Sequence, residues 1–84
     1  MARLRRSRLR FVVMTDERQR KLVAKKVREL RLKSGLTQED MRDHGFGYRY
    51  YQRIEAGEKD LRMSTLNRLA NTFKVSINEL FNFD

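Results

Sequence analysis

From position 16 onward the apolar residues of this chain recur at three- and four-residue intervals, broken at joints that carry glycine. Val23, Val27 and Leu30 form one stripe, widened by Leu22, and Arg18, Arg20, Lys21, Lys25, Lys26 and Lys33 occupy the opposite face. This spacing predicts a first helix, capped by Thr15 or Asp16, that runs to about Lys33 and is closed by Gly35. Leu36 comes next as a core contact at the joint. Thr37 opens a brief second helix, with Asp40 three residues on in the place of a capping-box partner, and Gly45 ends it. Gly45-Phe46-Gly47 is then a turn whose phenylalanine plugs the core.

The third helix spans about Tyr48 to Ala56 and is closed by Gly57, with Tyr51 and Ile54 facing inward. Tyr48, Arg49, Gln52 and Arg53 face outward. A fourth helix covers Met63 to Phe73, with Met63, Leu66, Leu69, Ala70 and Phe73 at core spacing and Asp60 as a candidate cap. Ser76-Ile77-Asn78-Glu79 has the form of a capping box and starts a short fifth helix carrying Ile77, Leu80 and Phe81.

Residues 1–14 break this pattern. They hold Leu9, Phe11 and Val13 in alternation, a weak strand signal, behind a run rich in arginine. The segment reads as a flexible tail, as a strand paired with its copy in a second subunit, or as an arm along nucleic-acid phosphates. Met14 is itself a candidate start, since residues 15–84 read as a complete domain. The fold class expected is therefore all-α: a compact five-helix bundle over residues 15–84, preceded by a basic arm over residues 1–14.

Composition narrows the chemistry. The chain has 84 residues, no cysteine, no proline and one histidine, so disulfides and a metal cluster are not expected. His44, just before the turn, reads as a partly buried structural residue. No apolar run is long enough to cross a membrane or to act as a signal-peptide core, which makes the cytoplasm of a bacterial or phage-type system the expected location. No nucleophile–base set, carboxylate pair or phosphate loop is visible, so neither an enzyme, a cofactor nor a small-molecule ligand is expected. Charge does point somewhere. The net charge is +9, with five arginines and no acid in residues 1–10, while residues 63–84 sum to zero. An excess of that size on a small domain favours a polyanion, with nucleic acid ahead of a membrane surface.

Two short helices joined by a tight glycine-bearing turn describe a helix-turn-helix, whose second helix enters the major groove of DNA. Arg49, Gln52 and Arg53, with Tyr48, are the candidate base contacts, because forked donors match guanine and adenine edges. Thr37, Gln38, Tyr50 and Lys59 are candidate phosphate contacts, joined by Arg5, Arg6, Arg8 and Arg10 of the arm.

The segments "LRLKSGLTQED" (30–40), "RIEAG" (53–57), "STLNRLA" (64–70) and "VSINELF" (75–81) occur in the order and approximate spacing of a known family. Over residues 28–81 the chain resembles the phage-repressor helix-turn-helix proteins, the Cro and lambda-repressor or Xre-like type. Among these it looks most like the small controller proteins of restriction–modification systems. The resemblance implies that Gln38 contacts phosphate or braces the recognition helix, and that Arg31 and Glu55 form an inter-helix ion pair. It also implies dimerisation through the last helices. Three departures stand out: the spacing from Gln38 to Glu55 is one residue short, Arg42 replaces a usual small alanine, and Gly47 replaces a usual Ser or Thr cap.

Phe73, Val75, Ile77, Leu80, Phe81 and Phe83 exceed what one small core needs and are the candidate dimer interface. The reading that results is a homodimeric, sequence-specific transcription regulator of a near-palindromic operator on double-stranded DNA, autoregulatory through its own dimerisation. The rivals are an antitoxin built on the same DNA-binding domain, and a nonspecific nucleic-acid binder acting through the arginine arm.

Overall fold

The computed structural model describes residues 16–83. The arm, with Arg5, Arg6, Arg8 and Arg10 and its strand signal, lies outside the described residues, as does the Thr15 cap. The described chain runs through α1 (Asp16–Lys33), a 3-10 helix (Glu39–His44), α2 (Tyr48–Glu55), α3 (Met63–Phe73) and a second 3-10 helix (Ile77–Phe81). Among the described residues there is no strand.

α1 has acids in its first turn, Asp16 and Glu17, and cations in its last, Arg31 and Lys33, which suits the direction of the helix dipole. Its end is a Schellman motif: the Leu36 N–H donates to the Arg31 carbonyl at 3.1 Å and the Gly35 N–H to Leu32 at 3.0 Å. The same pair of bonds closes α2, from Glu58 to Arg53 at 3.1 Å and from Gly57 to Ile54 at 3.0 Å. It closes α3 as well, where the left-handed position is filled by Lys74, at φ 58°, instead of a glycine.

The second predicted helix is tighter than expected. The Thr37 N–H donates to Asp40 Oδ2 at 2.8 Å and the Asp40 N–H to Thr37 Oγ1 at 3.0 Å, so the capping box forms as a reciprocal pair. The backbone N–H of Thr37, then its side chain, holds the Asp40 carboxyl below its ordinary pKa. The segment Glu39–His44 is wound as a 3-10 helix, which rises about 2.0 Å per residue against about 1.5 Å in an α-helix. This is a physical answer to the missing residue: a shorter segment that rises further per residue still reaches the turn. Met41, 0% exposed, takes the buried position, and Arg42 beside it points to solvent.

Several expectations give way here. His44 is exposed, not partly buried. Met63 is 66% exposed and contributes nothing to the core stripe of α3. Asp60 caps no helix; it accepts from Arg20 Nη1 at 2.9 Å. Ser76 makes no side-chain cap bond, and Glu79 pairs with Lys26 Nζ at 3.1 Å, so the second capping box does not form. The segment it was to start is a 3-10 helix.

The core gathers α1, α2 and α3 around Phe46 and Tyr51, whose rings meet edge-on with centroids 5.7 Å apart. The second 3-10 helix closes the core with Leu80, 0% exposed. α1 packs tightly on Gly57, just past the end of α2, where an added Cβ would lie 2.9 Å from Lys21 Cγ and 3.2 Å from its Cα. Gly57 also has φ +75°, which an L side chain resists. Gly57→Ala is therefore expected to cost more than about 1 kcal/mol, seen as a lower midpoint in urea with an unchanged m-value.

Candidate nucleic-acid interface

α2 is short and two-faced. Tyr51 and Ile54 are buried beneath it, while Arg49, Tyr50, Gln52 and Arg53 are exposed and Tyr48 is half-buried at its start. Gly47 precedes it in extended geometry, φ −61° and ψ 141°, and provides no side-chain cap. Arg49, Gln52 and Arg53 thus share one solvent face at i, i+3 and i+4.

That face is held in place from behind by one carboxylate. Arg31 Nε donates to Glu55 Oε2 at 2.6 Å, and Arg31 Nη2 donates to Oε1 at 3.2 Å. Gln38 Nε2 adds a bond to Oε1 at 3.0 Å, and the Tyr51 hydroxyl donates to Oε2. Arg31 Nη1 also donates to the Leu36 carbonyl at 2.8 Å. One acid therefore ties α1, the start of the first 3-10 helix and α2 together. The pair is dry, with side chains 8% and 5% exposed. Burial alone would push the Glu55 carboxyl up, but the bonds from Arg31, Tyr51 and Gln38 outweigh it and hold it below its ordinary pKa. The Glu55 hydrogen bond raises Arg31 in turn, and burial followed by Glu55 raises the Tyr51 phenol. Among the described residues, no buried side-chain nitrogen or oxygen lacks a partner.

The predicted site residues sort clearly in space. Arg49, Gln52 and Arg53 are together on α2, with Tyr48 at its entrance and Tyr50 one position on. Gln38 braces Glu55. Thr37 is exposed, its oxygen accepting from the Asp40 N–H. Lys59 lies 5.6 Å from the centroid of the Tyr50 ring, and Arg42 lies 5.3 Å from that of Tyr48. Each tyrosine is so held by a cation, an arrangement that fixes a flexible chain against a rigid ring. An open groove of about 780 Å³ runs between α1 and α2, lined by Arg28, Leu32, Thr37, Gln38, Tyr48 and Gln52 among others.

A family model described as Helix-turn-helix matches residues 27–80, from the last turns of α1 into the second 3-10 helix. The chain belongs to the helix-turn-helix family, of the Xre and lambda-repressor type. It is thus a DNA-binding transcription regulator by family, and the first 3-10 helix and α2 stand in the places of the two helices of that motif. No curated protein and no solved structure matches the chain.

Within this helix-turn-helix three contributions escaped the sequence reading. Tyr51 was placed in the core, but its hydroxyl completes the Glu55 cluster; its i, i+4 spacing to Glu55 was the available signal. Arg42 departs from the family pattern at a buried position, and the 3-10 winding is what turns it outward onto Tyr48. Arg68 stacks 5.4 Å from the Phe46 ring and donates to the Gly45 carbonyl at 3.2 Å, holding the turn from α3.

The expected dimer residues divide. Phe73 and Leu80, 6% and 0% exposed, belong to the chain's own core and offer no surface to a second copy. Val75 and Ile77 pack partly against that core. Phe81 and Phe83 are 48% and 39% exposed, and their rings meet edge-on at 6.4 Å. Among the described residues no cluster of His, Cys, Asp and Glu fits a metal ion, and no helix is long and apolar enough to cross a membrane.

Proposed function

We propose that the protein is a sequence-specific regulator that binds a near-palindromic operator as a homodimer and controls its own synthesis. The observation that carries this reading is the two-faced α2: Arg49, Gln52 and Arg53 are free on its outer face, and its inner face is locked by the Glu55 cluster. Rigid placement of forked donors is what base recognition in the major groove requires. Tyr48 joins them at the entrance of the helix. Thr37, Tyr50 and Lys59 flank this face and serve the phosphates, while Gln38 acts as the brace. The arginines of residues 1–10 add affinity that falls with salt, through release of counterions.

Phe81 and Phe83 provide the two-fold contact in this reading. A symmetric pair would set two α2 helices about 34 Å apart, one turn of DNA, and so select a two-fold related pair of half-sites. Dimerisation then makes occupancy depend steeply on the protein's own concentration, which suits an autoregulatory switch. The test is selection from a random duplex library with the full chain at physiological salt. Two related half-sites one helical turn apart support the proposal; tight, motif-free, steeply salt-dependent binding overturns it in favour of the arginine arm. A Phe81→Asp, Phe83→Asp variant is expected to sediment as a folded monomer, since both side chains are exposed. A variant that remains dimeric would move the interface elsewhere.

A further inference from the structure

α1 carries eight cations, and six of them fall into two contrasting sets. Arg20, Lys26 and Arg31 are matched to acids from other elements: Asp60 at 2.9 Å, Glu79 at 3.1 Å and Glu55 at 2.6 Å. Lys21, Lys25 and Arg28 have no such match. They are exposed, they lie at i, i+4, i+7 spacing along one stripe, and among the described residues none is in an ion pair. Glu17 and Glu29 stand four residues before Lys21 and four after Lys25, but neither forms an ion pair with the stripe, and no described acid from another element is paired with it. Among the described residues the stripe is therefore not held by any tertiary ion pair.

Its position supplies the explanation. Lys21, Lys25 and Arg28 line one cleft with Ala56, the residue that ends the recognition helix. Ala56 also borders the cleft of Arg49, Gln52 and Arg53, and the groove that contains Tyr48 and Gln52. Three concave surfaces thus share one small residue, which places the basic stripe beside the reading face. Lys21 packs directly against Gly57, just past the end of α2, so the stripe begins beside the recognition helix. Towards the N-terminus the stripe leads to the start of α1, and the five arginines of residues 1–10 precede that point in sequence.

We infer that Lys21, Lys25 and Arg28 form a second DNA-binding surface, which holds the phosphate backbone beside the half-site read by α2. It rests on the major-groove reading of α2 and extends it: α2 supplies specificity, and α1 supplies sequence-independent grip on the adjoining backbone. Lysine and arginine side chains fit that task, because a row of point charges tracks a row of phosphates without needing a base pattern. Adjacent exposed positions on one side of a helix span a length comparable to a few phosphates along one strand.

The test compares single charge-removing variants of the full chain on the duplex recovered by library selection, with affinity measured across a salt series. Lys21→Gln, Lys25→Gln and Arg28→Gln are each expected to reduce the slope of log affinity against log salt by about 1 per protomer, with the preferred motif unchanged. Lys74→Gln, which removes an exposed cation at the far end of α3, is expected to leave the slope as it was. Thermal midpoints of the three stripe variants are expected to stay close to that of the parent, since all three side chains are exposed and, among the described residues, none is in an ion pair. If the stripe variants match Lys74→Gln while Arg49→Ala still erases the motif, the second surface is overturned and the recognition helix stands. If Arg49→Ala and Gln52→Ala are both silent too, the reading beneath the inference has failed with it.

Discussion

Glu55→Ala is expected to destabilise the domain by about 3–5 kcal/mol, a large share of the roughly 5–15 kcal/mol that holds a domain of this kind together. The size reflects the groups left behind. Arg31 would remain dry and charged with its partner gone, and the donors of Gln38 and Tyr51 would lose the same acceptor. Truncating an exposed acid has no such consequence, so Glu58→Ala is expected to stay within about 0.5 kcal/mol of the parent. For a domain of this length each kcal/mol moves the thermal midpoint by about 4–8 °C, so a fall of more than ten degrees separates the two variants. Equal midpoints would mean that the cluster positions nothing.

Acid should show the same group. The Glu55 carboxyl is held below its ordinary value in the folded chain, so its stabilising contribution is complete above the unfolded value, about 4.5, and is lost as pH falls through the folded one. The parent is therefore expected to lose stability in that acid range by a step that Glu55→Ala lacks. Unfolding curves between pH 6 and pH 3, run on both proteins, read that difference directly.

How far the sequence was legible depended on whether the deciding contact was local. α1, α2 and α3 were readable from periodicity, and the positions after α1 and α2 from Gly35 and Gly57, because a helix stripe and a left-handed cap are properties of neighbouring residues. The Thr37–Asp40 box was readable for the same reason. Asp60 and Glu79 were misjudged because each is claimed from a distance, by Arg20 and Lys26, and a local cap loses to a partner that only the tertiary fold provides. Met63 matched the core spacing of α3 but sits at its first turn, beyond the edge of the packed layer. The 3-10 winding was invisible as well, since the sequence shows one residue too few and not how the backbone makes up the length. The site divides along the same line. The outward set on α2 was legible from helical geometry, and the Arg31–Glu55 pair came from family resemblance. The junction of the α1 stripe with Ala56 is a contact of packed helices that no local pattern announces.

Removing both arginines from the reading face should separate recognition from attraction. In the Arg49→Ala, Arg53→Ala variant the fold is expected to persist, because both positions are exposed on α2 and alanine favours a helix. Each arginine fork on a guanine edge is worth about 1–3 kcal/mol of discrimination. Two such forks in each of two half-sites would account for about 4–12 kcal/mol, the whole range by which specific binding usually exceeds nonspecific binding. The selected duplex is thus expected to bind the variant no better than a scrambled one, with an affinity that still falls steeply as salt rises. If both arginines instead serve phosphates, affinity for selected and scrambled duplexes would drop in parallel and the motif would survive. In that case the specificity would have to lie with Tyr48 and Gln52, and Gln52→Ala would be the variant that erases it. A direct competition between the two duplexes at fixed salt distinguishes these outcomes, because only loss of base reading changes the ratio of the two affinities.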